Sequence, residues 1–220
     1  MKFMILLIFS LVTTLAHAYV VPVRTDLKPA SQKMLEYQRV PVPILADTNY
    51  IKESFAGPTS AAVLATTTFD HQPDVPRNLT VTPAGTTGDV EACVVTVSGT
   101  NILGRAISET FTFIADASTA VVGVKAFKTV TSASWAASCE SGGFAATWII
   151  GVEDVLGLKR CMAQAGDLAW TVFNGIFEGT RATCVADADE VEKNTCNPNG
   201  TLDGAKNVDF YFVQNFACLP

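Results

Sequence analysis

Hydrolysis through an activated nucleophile needs a general base, most often histidine. The chain holds two histidines, His17 and His71. His17 falls in an export-like leader, so a processed chain would keep His71 alone. It stands in Phe69-Asp70-His71-Gln72-Pro73, a polar turn ahead of a strand. One histidine without a neighbouring partner motif reads as a surface turn residue. No Gly-x-Ser-x-Gly elbow and no Walker A loop occurs. Carboxylates cluster at Glu153-Asp154 and at Asp187, Asp189 and Glu190. A glycosidase sets two such groups across a cleft, whereas adjacent acids in a turn read as solvated. No catalytic residue and no cofactor are therefore expected, and the chain reads as a non-enzyme.

Six cysteines stand at Cys93, Cys139, Cys161, Cys184, Cys196 and Cys218. None forms a Cys-x-x-Cys unit, which argues against a zinc knuckle or a redox motif. An even count behind an export signal predicts disulfides, and six cysteines allow 15 connectivities among which spacing does not choose. Asn197 to Gly204 has part of the look of a calcium loop. Thr195 and Lys206 stand where an EF-hand requires acids. The segment's Pro, Asn, Gly and Asp suffice for a tight turn. A looser oxygen site from Asp187, Asp189 and Asp203 is the alternative, and the expectation is no metal. Trp135, Trp148 and Trp170 read as core or interface residues, with a sugar-binding face as the alternative. Asn78-Leu79-Thr80 and Asn199-Gly200-Thr201 are acceptor triplets only in a host that glycosylates.

The elements that must carry these residues are short and extended. Of 220 residues, 49% are hydrophobic and 16% charged, enough apolar material for a core and too little charge for a disordered chain. Val, Thr, Phe and Ile recur in short runs broken by Gly, Pro, Asn and Asp, and sustained helical periodicity is almost absent. The net charge of −6, with 15 scattered Lys and Arg, gives no footprint for nucleic acid.

The first eighteen residues have a positive start (Met1-Lys2-Phe3), an apolar run from Met4 to Leu15, and the small-x-small triplet Ala16-His17-Ala18. This is a signal-peptide layout with cleavage expected after Ala18. The run is short for a bilayer, which takes about 20 residues. Residues 19–60 read as an extended Pro-rich arm, punctuated by Pro22, Pro29, Pro41, Pro43 and Pro58, with one short helix over Ser31–Tyr37 capped by Ser31. Such an arm drapes over its own domain or reaches a neighbouring subunit. Residues 61–220 read as the domain.

Strands are expected at 62–69, 77–82, 90–98, 106–114, 121–124, 126–132, 145–152, 169–173, 181–186 and 208–215. The hairpin around Gly99 to Gly104 carries glycines at both shoulders, where positive φ is often needed. Period two puts Cys93, Val95 and Val97 on one face and Val94, Thr96 and Ser98 on the other; Ile107, Glu109, Phe111 and Phe113 share a face of the partner strand. The predicted fold is all-β, an antiparallel β-sandwich or jelly roll.

Several segments in order carry a resemblance. They are Gln72-Pro73-Asp74-Val75-Pro76-Arg77-Asn78-Leu79-Thr80-Val81-Thr82, Val95-Thr96-Val97-Ser98-Gly99-Thr100-Asn101-Ile102-Leu103-Gly104-Arg105, Lys125-Ala126-Phe127-Lys128-Thr129-Val130-Thr131-Ser132, Gly151-Val152-Glu153-Asp154-Val155-Leu156-Gly157-Leu158, and Glu192-Lys193-Asn194-Thr195 with Asn199-Gly200-Thr201-Leu202-Asp203-Gly204. From Ala61 to Gln214 the chain resembles virion structural proteins of tailed bacteriophages and prophages. The resemblance implies a head decoration or fibre protein on the capsid surface. Its partners would be other virion proteins, such as a major capsid protein, and further copies of itself. The leader and cysteines support a different expectation, a secreted, disulfide-bonded β-sandwich that binds a host-surface glycan or another cell. A secreted hydrolase using His71 and the acids at 187 to 190 is a third.

Overall fold

A computed structural model describes residues 34–85, 88–140 and 146–214. The leader, its expected cleavage site at Ala18, and Cys218 lie outside the described residues. The described chain is built of fourteen strands and three-residue 3-10 turns. They are β1 (Met34–Val40), β2 (Asp47–Ala56), β3 (Ala62–Ala65), β4 (Arg77–Ala84), β5 (Cys93–Thr100), β6 (Ala106–Phe113), β7 (Val121–Phe127), β8 (Thr129–Trp135), β9 (Thr147–Gly157), β10 (Leu168–Phe173), β11 (Ile176–Phe177), β12 (Thr183–Val185), β13 (Thr195–Asn197) and β14 (Val208–Gln214). Every strand pairing is antiparallel.

Three sheets result. One has the order β3-β8-β5-β6, and a second the order β12-β13-β9-β4-β7 with β2 also on β9. These two pack face to face. Leu79, Val81, Trp148, Ile150 and Ile51 meet Val95, Val97, Phe111, Phe113 and Trp135 in one apolar core. The alternation read from the sequence holds here: Cys93, Val95 and Val97 are buried, while Val94, Thr96 and Ser98 turn outward. The all-β, sandwich-like fold is thus what the molecule adopts.

The third sheet, β1-β14-β10-β11, covers a second core. Its inner side chains Val40, Val208, Phe210 and Phe212 pack on Leu156, Leu158, Met162 and Cys196. Strand β9 belongs to both cores, giving Trp148 and Ile150 to the first and Leu156 to the second. Fully burying a side chain such as Phe210 or Leu156 is worth about 1.5–3 kcal/mol.

Arg77 sits where the two cores meet, paired in register with Phe127 on one side and Leu156 on the other. Its guanidinium is fully buried. Nε donates to the Glu153 carbonyl at 2.6 Å, Nη1 to the Ile44 carbonyl at 3.1 Å and to Asp74 at 2.9 Å, and Nη2 to Asp154 at 3.4 Å. A buried charge persists only when paired and hydrogen-bonded in this way.

Two expectations need correction, the helix and Gly99. The segment expected as a helix ending at Tyr37 is strand from Met34 onward, paired with β14 from Met34↔Gln214 to Val40↔Val208. Helix propensity in a seven-residue piece is a weak prior that a full β-ladder overrides. The Pro-rich arm contributes two strands, β1 and β2, to the sheets. Gly99 does not need positive φ. A Cβ there would lie 1.9 Å from the Thr129 carbonyl, so the glycine allows a close backbone approach at a register shift between Ser98 and Gly99.

Candidate interaction surface

The outer face of the third sheet carries a row of aromatic rings from three distant parts of the chain. Period two sends Val208, Phe210 and Phe212 inward from β14 and leaves Asp209, Tyr211 and Val213 on the outside. Register then sets Tyr37 of β1 and Trp170 of β10 on either side of Tyr211. The Tyr37 and Tyr211 rings are 5.1 Å apart, and those of Tyr211 and Trp170 are 5.2 Å apart. Phe177 extends the row, 6.5 Å from Trp170. Its place depends on a two-residue turn, Asn174-Gly175, with φ of 51° and 81°. Positive φ at both positions defines the type I′ turn that suits a tight hairpin.

Large apolar side chains on this sheet are open to solvent. On the outer face Tyr37 is 41% exposed, Leu35 51% and Phe177 68%. Single exposed apolar residues are ordinary, whereas a contiguous patch marks a contact site.

One ion pair crosses the face. Arg39 clamps Asp209 with two bonds, Nε to Oδ1 at 2.8 Å and Nη2 to Oδ2 at 3.1 Å. The Tyr37 hydroxyl donates to the same Oδ1 at 3.0 Å. The Arg39 bond, followed by that from Tyr37, holds the Asp209 carboxyl below the usual aspartate range against the opposing effect of desolvation. Desolvation, then the neighbouring carboxylate, pushes the Tyr37 phenol up. The face is therefore apolar and electrically balanced.

The residues that sequence reasoning weighed for catalysis and metal binding are scattered. His71 stacks on Tyr50 at 4.8 Å and 17° beside a cleft of about 300 Å³ that Asp47, Asn49, Glu53 and Asp70 also line. Asp70 is already engaged: it accepts from the Glu53 amide at 2.8 Å and from Lys52 at 3.0 Å, and these bonds lower its pKa. Among the described residues, no hydroxyl or thiol is hydrogen-bonded to the His71 imidazole. Asp187 accepts from the Glu190 and Asp189 amides, both at 2.8 Å, which lowers its pKa. Glu190 is paired with Lys193 and with Lys125. Lys125 reaches Glu192 at 3.7 Å, and Glu192 accepts from Asn101 at 3.1 Å. Asp203 pairs instead with Lys206 at 2.6 Å. Among the described residues, no group of His, Cys, Asp or Glu is placed to hold a metal. Asp154 serves Arg77, and Glu153 is pushed up by desolvation and then by Asp154.

Among the described residues the cysteines form two bridges, Cys93–Cys139 inside the first core and Cys184–Cys196 directly across β12 and β13. Cys161 is buried, and no described cysteine is free. Disulfides are the mark of an oxidising, extracellular-type compartment. Among the described residues, no helix is long and apolar enough to cross a membrane.

Trp135 and Trp148 are core residues, stacked edge-on at 6.4 Å, while Trp170 lies at the surface in the aromatic row. Sequence reasoning missed Tyr37, Tyr211 and Phe177 as partners of Trp170. The Asn174-Gly175 dipeptide between apolar residues was the available signal for the hairpin that brings Phe177 in.

Comparison with known proteins adds no relative: no family model, no curated protein and no solved structure matches the chain.

Proposed function

We propose that the protein is a structural component of a phage virion, a capsid-surface decoration or fibre-like protein that works through subunit contacts. The observation that carries this reading is the aromatic row Tyr37–Tyr211–Trp170–Phe177 on a four-stranded sheet, with Tyr37, Trp170 and Phe177 exposed. Aromatic side chains are the residues that concentrate binding energy at protein contacts. The ordered segments from Gln72 to Gly204 that resemble virion proteins point the same way. Peptide mass spectrometry on density-purified virus particles tests it. Peptides from 61–220 banding with the major capsid protein are expected. Their absence from particles, with the protein recovered from the cell-free soluble fraction, would overturn the reading.

The two disulfides favour a second reading, an exported binding or adhesion module. The row's geometry bears on its ligand. A sugar ring stacks on an aromatic face turned to solvent. Here Trp170 stacks on Tyr211 at 5.2 Å and 29°, and Tyr37 lies tilted at 5.1 Å and 43° on its other side, so one Tyr211 face is already taken by a ring. Glycan-array binding that is lost in Trp170→Ala would support this second reading over the first.

A further inference from the structure

The aromatic row ends at an open strand edge. In the order β1-β14-β10-β11, β1 is the outermost strand, and no described backbone group outside β14 hydrogen-bonds to it. Seven residues at about 3.4 Å each make an edge of about 24 Å, whose outward amides and carbonyls have no partner among the described residues. Tyr37, at the middle of β1, is the last ring of the row, and its far side faces no described ring.

We propose that this edge takes β1 of a second copy of the same chain, antiparallel across a two-fold axis at Tyr37. A two-fold contact must be self-complementary, because each residue meets its mirror position. In the register centred on Tyr37, Met34 lies opposite the partner's Val40, Leu35 opposite the partner's Arg39, Glu36 opposite the partner's Gln38, and Tyr37 opposite the partner's Tyr37. No like charges meet. Glu36 is balanced by Lys159 at 2.6 Å and Arg39 by Asp209 at 2.8 Å, so neither brings an uncompensated charge to the seam. The whole chain carries −6, so two copies repel one another on net. The edge of β1 is a place where that repulsion is locally absent. Pairing there would join the two aromatic rows into one, Trp170–Tyr211–Tyr37 running on into its symmetry mate. It would also satisfy the open backbone groups, the usual mode of strand addition at a sheet edge.

The inference rests on reading the protein as one that assembles, but its test is separate. Absence from virus particles would leave a purified dimer standing, and a purified monomer would leave virion membership standing. The full chain, studied by sedimentation at about 100 µM and below, is expected to show a monomer–dimer equilibrium in the micromolar range. Tyr37→Arg sets two cations against each other across the axis and is expected to weaken the dimer at least about tenfold. Tyr37→Cys gives a second readout that tolerates a loosened sheet. In air-oxidised buffer it should yield a covalent dimer whose linking peptide pair is position 37 to position 37. A monomer at all concentrations would overturn the proposal. So would a dimer that Tyr37→Arg leaves intact and whose introduced thiols do not link.

Discussion

Removing the two described bridges one at a time should cost unequal amounts, in the order of the loops they close. Cys93 and Cys139 are 46 residues apart, and Cys184 and Cys196 are 12 apart. In the chain-entropy description a cross-link lowers the entropy of the unfolded chain by about 2.1 + 1.5R ln n cal/mol/K. At 25 °C that is about 4 kcal/mol for the longer loop and about 3 kcal/mol for the shorter. Each bridge is also packed into a core, Cys93 and Cys139 in the first and Cys196 in the second, so both losses add a packing defect and loop length sets the difference. The variants are Cys93→Ala/Cys139→Ala and Cys184→Ala/Cys196→Ala, each removing both thiols so that no new one is left to exchange. Urea unfolding followed by tryptophan fluorescence gives the free energies, with equal m-values as the check that both variants unfold in the same way. Thermal midpoints should fall by about 2–4 °C per kcal/mol for a chain of this size. If the Cys184–Cys196 variant loses as much as the Cys93–Cys139 variant or more, loop closure is not what these bridges contribute, and the reasoning fails.

Arg77→Met strands two carbonyls and leaves Asp74 and Asp154 without their shared cation, so a loss of about 3–5 kcal/mol is expected by urea titration; a neutral result would show the network to be dispensable. Gly99→Ala drives a methyl into the Thr129 carbonyl and should cost about 1–3 kcal/mol by forcing β5 and β8 apart, read as a lower thermal midpoint. Asp209 has a depressed folded pKa, so the unfolded chain binds its proton more readily and stability rises with pH between the folded and the ordinary aspartate values. The contribution is present above the ordinary value of about 3.9 and is lost as pH falls through the lower folded one. Asp209→Asn should flatten that rise in an acid denaturation series, and an unchanged slope would show the Arg39 clamp to be energetically silent.

Much of the sandwich was legible because its strands obey period two under a one-sided burial constraint. The β5–β6 hairpin is the clearest case: its inward and outward residues fall where alternation puts them. The edge of the third sheet was not legible. Met34-Leu35-Glu36-Tyr37-Gln38 is made of residues that a helix accepts well, and the ladder that makes it a strand comes from β14, about 170 positions away. Strand β2 pairs with β9 through two register shifts, so its apolar residues show no clean alternation. The aromatic row was hidden for the same reason as the edge. Tyr37, Trp170 and Tyr211 become neighbours only through strand order, and spacing along the chain carries no trace of it. What spacing did carry, the Asn174-Gly175 turn, is local.

The two glycan acceptor triplets have opposite fates in the fold. Asn199 is exposed in a turn. Asn78 is buried in β4, between β7 and β9, and donates to the Gly123 carbonyl at 2.6 Å. Sugar transfer to such triplets happens on the emerging chain, before strands close. A branched oligosaccharide on Asn78 would occupy the space of β7 and stop the central sheet from forming. Recombinant production therefore belongs in a bacterial periplasm, or in a eukaryotic secretory host only with that triplet removed through Thr80, whose own buried hydroxyl makes no hydrogen bond.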